Sequence, residues 1–177
     1  MITAIALLAM TASDPLAPAR EGKLQCHSPD LERRTCGAIA EYAPLADGKW
    51  RNIATVRIAS APEIIMHGES TVEVEDEAIC GVVSRAELIT WKVTVDGVAM
   101  PAPEARAILD QVADRFASLG ALGTKSCTRY RPDGDGLLAE MVIDGKPRPE
   151  ASQRVIWVRP ADGYQVGAAR PPAMGSN

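Results

Sequence analysis

The chain has 177 residues, an apolar fraction of 46% and a net charge of −4. That length suits one domain with a substantial core and is short for two. The acidic balance argues against a nucleic-acid binder, whose affinity comes from neutralised phosphates, and against a polybasic membrane anchor.

The first residues, MITAIALLAM, are an apolar run of about ten, too short for a bilayer span. A zone rich in small residues follows, with Thr11-Ala12-Ser13 and Ala17-Pro18-Ala19 as small-x-small cleavage sites. This is the outline of a secretory signal peptide, although no Lys or Arg precedes the apolar run. The expected organisation is a leader over 1–19, one domain over 20–165 and a structureless tail over 166–177.

Four cysteines, Cys26, Cys36, Cys80 and Cys127, make an even count behind an export signal, as a disulfide framework requires. Zinc would need tight Cys or His pairs, and the two histidines, His27 and His67, stand forty positions apart. A redox dithiol would need C-x-x-C. Of the three pairings, Cys26–Cys36 with Cys80–Cys127 is favoured. Ser28-Pro29 reads as an N-cap and first helical residue, and one helical turn over 29–34 would bring the flanking cysteines together.

TCGAIAEY and WRNIATVRIA flank the turn LADGK and read as a hairpin. Trp50, Ala54, Val56 and Ile58 share one face of its second strand, with Arg51, Thr55 and Arg57 on the other. STVEVEDEAICGVV continues as strand, and His67 beside Gly68 is expected to cap a strand end. Ser84-Arg85-Ala86-Glu87 fits a capping box for a short helix to about Ile89. WKVTVDGVAMP is a strand reaching an Asp-Gly turn. The clearest helix covers 103–119. There Ala105, Ile108, Leu109, Val112, Phe116 and Leu119 recur on one face, Arg106 and Asp110 pair on the other, and Gly120 ends it. SCTRYR, LLAEMVI and RVIWVRP supply three further strands. VTVDGVAMPAPEAR and VIDGKPRPEASQR echo each other, which reads as two hairpins using one turn chemistry.

The expected fold is therefore α+β: an antiparallel sheet of six to eight strands, one main helix on its apolar face, and disulfide staples. Trp50, Trp91 and Trp157 are expected in its core.

Catalytic signals are absent. No nucleophile elbow, zinc helix, Walker or dinucleotide motif occurs. RPDGDGLLAE, with Asp133, Asp135 and Glu140, lacks the EF-hand spacing and reads as a hairpin loop. No catalytic, cofactor-binding or metal residue is assigned, and no cofactor is expected. The acidic run EVEDE reads as solvated strand-edge charge.

The C-H-S-P-D…R-T-C clip together with the closing R-V-I-W-V-R-P-A-D-G-Y resembles small secreted or periplasmic proteins of Gram-negative bacteria that have no assigned activity. The likeness spans 26–164 and implies a periplasmic or secreted location, carrying no site residue across. The leading expectation is an exported, non-enzymatic envelope protein that binds a protein or envelope component through a strand edge or loop, with no membrane span. The alternatives are a hydrolase using carboxylates gathered in a cleft, and an inhibitor of a wall-degrading or proteolytic enzyme presenting LADGK or RPDGDG.

Overall fold

The structure is a computed structural model and describes residues 14–167. It is built mainly of antiparallel strands, with short helices and two disulfide bonds. In chain order the elements are α1 (Ala17–Arg20), β1 (Leu24–His27), β2 (Thr35–Cys36), β3 (Ala38–Pro44), β4 (Lys49–Ser60) and β5 (Glu63–Glu75). There follow β6 (Ala78–Val82), α2 (Arg85–Leu88), β7 (Lys92–Val95), β8 (Val98–Ala99) and α3 (Ala102–Ser118). The chain ends with β9 (Lys125–Asp133), β10 (Gly136–Ile143), β11 (Lys146–Val158) and β12 (Gln165–Val166).

The expected open sheet is in fact closed. Strands run in the order β4-β3-β1-β11-β10-β9-β6-β5, and β5 pairs back onto β4 along Lys49–Ser60. Eight antiparallel strands thus form an up-and-down barrel, joined at its seam by β1 and β11, where Gln25 faces Trp157. Closure matters because each strand then has an inward and an outward face, alternating residue by residue. The register carries the inward set around the ring. Tyr42 lies opposite Asn52 and Asn52 opposite Ser70. Ile79 lies opposite Thr128, Tyr130 opposite Ala139, and Ala139 opposite Gln153.

Tight turns fit this register. Asp96-Gly97 and Asp144-Gly145 both have positive φ at each residue, which is the hairpin turn that matches strand twist. The same geometry occurs at Asp76-Glu77 (φ 46° and 63°), which cuts the expected continuous strand STVEVEDEAICGVV into β5 and β6. His67 is also relocated: it stands mid-strand in β5, opposite Thr55 on the outer face, with its Nδ1 3.1 Å from Thr55 Oγ1.

The barrel's two ends are stopped differently. At one end α1 brings Leu16 (0% exposed) and Ala19 against Tyr42, Trp50 and Ile79. Leu16 and Ala19, expected in the leader, therefore belong to the packed body. The leader expected over 1–19 otherwise lies outside the described residues, as does most of the tail. At the other end, α2, the β7–β8 hairpin and α3 form one excursion between β6 and β9. The expected helix is present as α3, but a closed barrel offers no open sheet face to cover. Ala105 and Leu109 pack with Met66 and Val93, while Val112 and Phe116 turn toward the barrel's interior space. Arg85 ties α2 to Asp110 and Asp114 of α3, and Arg148 of β11 donates to the Leu119 carbonyl at the end of α3. Ser84 caps α2, its Oγ accepting from Glu87 N–H at 3.1 Å.

The disulfides join Cys26 to Cys36 and Cys80 to Cys127. The second links residues directly opposite on β6 and β9, on the outer face. The first closes a loop that is not helical. Ser28 has φ 50°, Asp30 bridges Thr35, and Asp30 Oδ1 accepts from the backbone N–H of Glu32 and Arg33. An Asx-type turn thus does the folding back that a helical turn was expected to do.

Candidate functional site

An eight-stranded barrel is just wide enough either to fill with side chains or to hold one small ligand. Here it is filled at the α1 end and hollow toward α2 and α3. The hollow is a cavity of about 530 Å³, within the range of small-molecule sites. Small inward residues create it: Ala38, Ala40, Ala54, Gly81, Ala139 and Ala151 line it where larger side chains would have filled it. Met66, Val56, Ile79, Leu88, Val112 and Phe116 make its apolar surface.

Set into that surface are neutral polar groups. Asn52 Nδ2 donates to Ser70 Oγ at 3.3 Å across β4 and β5, and Ser28 Oγ donates to Gln153 Oε1 at 3.2 Å. Ser126 and Thr128 add hydroxyls from β9. On the wall formed by β1 and its neighbours, Gln25, which is fully buried, gathers three donors on Oε1. They are Tyr42 O–H at 2.9 Å, His27 Nε2–H at 3.0 Å and Tyr130 O–H at 3.3 Å. A carbonyl oxygen can only accept, so His27 carries its proton on Nε2 and leaves Nδ1 as an acceptor. Burial raises the pKa of both phenols, that of Tyr130 to about 12, so both keep their protons and remain donors. The charged side chains among the lining residues are Arg57 and Glu87, both at the α2 end. Burial raises the Glu87 carboxyl's pKa above the usual range, against a lowering hydrogen bond at Ser84.

Trp91 completes the mouth. β6 pairs with β5 only at Val72–Glu75 and β7 only at Ile64–His67, which leaves a gap in the wall between them. Gly68 lies on the inward register in that gap, and the Trp91 ring occupies the space where its side chain would be. A Cβ at Gly68 would stand 1.9 Å from Trp91 Cδ2.

Several wall atoms are buried without a partner among the described residues: Asn52 Oδ1, His27 Nδ1, Trp91 Nε1, Gln25 Nε2 and Arg57 Nη1. Structures rarely leave such groups unpaired, because each costs about 1–3 kcal/mol.

His27 makes one consequence measurable. Burial pushes its pKa down to about 4 from the ordinary 6.5. As pH falls, the unfolded chain therefore takes up the proton before the folded one. The stability held by the neutral ring is complete above about pH 6.5, and about 2–3 kcal/mol of it is lost as pH falls toward 4. Urea unfolding at pH 7 and pH 4.5 should show this slope in the wild type and a reduced slope in His27→Leu. Equal slopes in the two proteins would remove the assignment.

No catalytic residue was assigned from the sequence, and the acidic residues weighed there do not gather. Asp135 pairs with Arg154 and Glu140 with Arg131, all on the barrel's outside, and Glu87 is the only carboxylate among the lining residues. Among the described residues no group of three or more His, Cys, Asp or Glu side chains is placed to hold a metal ion. The sequence did carry one overlooked signal: Asn52 sits in the middle of the apolar face Trp50, Ala54, Val56. A second concavity near α1, bordered by Asp14, Arg20, Trp50, Asp76 and Glu77, is an open groove whose arginine already pairs with Asp14 and lies over the Trp50 ring. Comparison of the chain with family models, curated proteins and solved structures gave no match.

Proposed function

We propose that this protein is a non-enzymatic binding barrel that holds one small, mostly apolar molecule, and that it works outside the cytosol. The observation that carries the reading is the cavity of about 530 Å³, apolar with a few neutral polar groups, inside a wall stapled by a disulfide. Two disulfides and the apolar N-terminal run support export. Leu16 seals the barrel, so cleavage near Ala12 suits the fold better than cleavage after Ala19. No helix of the described residues is long and apolar enough to cross a membrane.

This reading moves the binding surface from the outside to the inside. Barrel closure pairs most of each long strand on both sides, and the edges left among the described residues are short ones such as β8, where Val98 is 71% exposed. The carboxylate-hydrolase alternative asks for two acidic groups in one cleft, and the cavity supplies Glu87 alone.

Titration with the neutral fluorophore N-phenyl-1-naphthylamine tests the proposal. Saturable binding of one probe per chain is expected. Ala139→Phe, which projects a ring into the cavity, should weaken it by about tenfold or more with circular dichroism unchanged. Absence of saturable binding, or binding indifferent to Ala139→Phe, would refute it.

A further inference from the structure

We infer that the barrel selects a neutral ligand bearing at least one hydroxyl, which donates to acceptors in the cavity wall. This deepens the binding-barrel reading and rests on it. The argument starts from what the wall lacks. Two acceptors, Asn52 Oδ1 and His27 Nδ1, are buried in residues that line the cavity and have no donor among the described residues. Asn52 donates from Nδ2 to Ser70 Oγ and His27 donates its one N–H to Gln25, which leaves Asn52 Oδ1 and His27 Nδ1 as the open positions of the two side chains.

Trp91 Nε1 and Arg57 Nη1 in turn lack an acceptor among the described residues, so the wall asks for a group that both donates and accepts, and the half that few neutral groups supply is the donor. A hydrocarbon, an ether or a ketone brings none, and an ionised carboxylate brings only further acceptors. A carboxylate would also enter a space where the strands' lining positions carry no charge except Arg57. Arg57 stands at the rim, and its cross-strand partner is Ile65, one step out of phase with the inward pair Val56–Met66. A charge inside such a cavity without a partner is strongly disfavoured. An alcohol meets both conditions: it is neutral, and its O–H supplies the donor while its oxygen can still accept. Trp91 Nε1–H, a buried donor at the mouth without a partner among the described residues, suits that second role.

The test uses displacement of N-phenyl-1-naphthylamine from the oxidised full-length protein by three chains of equal length: 1-decanol, its methyl ether and decanoate at pH 7. The alcohol should displace at about tenfold lower concentration than the ether, the value of one relieved buried acceptor. Decanoate should be weaker than both. Asn52→Leu, similar in volume and without the acceptor, should keep the probe and shrink the alcohol-over-ether preference. Equal displacement by alcohol and ether overturns the inference while leaving the binding barrel standing. So does a preference for decanoate that is lost in Arg57→Gln, which would instead mark an anion anchored at the rim. Failure of the probe itself to bind overturns the binding-barrel reading and this inference with it.

Discussion

Reduction of both disulfides should lower the melting temperature by about 15 °C or more, the largest stability effect expected for this protein. On the chain-entropy model, a bond across a separation of 10 residues contributes about 3 kcal/mol and one across 47 about 4 kcal/mol. Together they match much of the net stability of an ordinary domain. The two bonds act at different places. Cys80–Cys127 joins residues already opposite on β6 and β9, and so holds the wall segment next to the gap at Trp91. Cys26–Cys36 ties the loop between β1 and β3, packed with Val158, Ile39 and Tyr164 outside the barrel. The paired replacement Cys80→Ala/Cys127→Ala should therefore lower the urea midpoint more than Cys26→Ala/Cys36→Ala, and should also weaken probe binding. Calorimetry with and without reductant decides the matter: an unchanged transition would mean that the covalent links contribute nothing.

Gly68→Ala should destabilise the fold by about 1–3 kcal/mol and displace Trp91 from the barrel mouth. The new methyl would lie 1.9–2.2 Å from three atoms of the indole, a distance that real contacts never reach. Gly68 is in extended backbone, so its lack of a side chain serves the close approach of the ring and not an unusual φ. The spectroscopic sign is a red shift of tryptophan emission as the indole moves toward water. A double-mutant cycle identifies the cause. Trp91→Ala alone should cost about 3 kcal/mol, and Gly68→Ala made in that background should cost almost nothing. A full cost in both backgrounds would show that the methyl clashes with something other than Trp91.

Much of the local structure was readable from residue order. Alternation located the strands around Trp50–Val56 and Cys127–Tyr130, and Asp-Gly pairs located two hairpin turns whose backbones do have positive φ. The three- and four-residue spacing of Ala105, Leu109 and Val112 located α3, and Ser84 located its short neighbour. The misreadings also have local causes. Asp76-Glu77 forms a hairpin turn without glycine inside an acidic run, so nothing in composition marks it. At residues 28–34 the side chain of Asp30 competes with the helix for backbone N–H groups and wins. The bulge between Arg57 and Ala59 breaks the strand's alternation, so that Arg57 lines the cavity together with Val56 and Ile58.

What residue order determined by itself was short-range: which stretches extend, where they turn and which faces are apolar. Each of these depends on neighbours within a few positions, where sterics and hydrogen bonding act directly. Only the tertiary structure decided that β1 closes onto β11, because period-two alternation is the same in an open sheet and a closed one. The cavity belongs to that second kind. It arises where alanines and glycines from separate strands face one another across the ring, and a void is a sum over distant positions that no single segment contains.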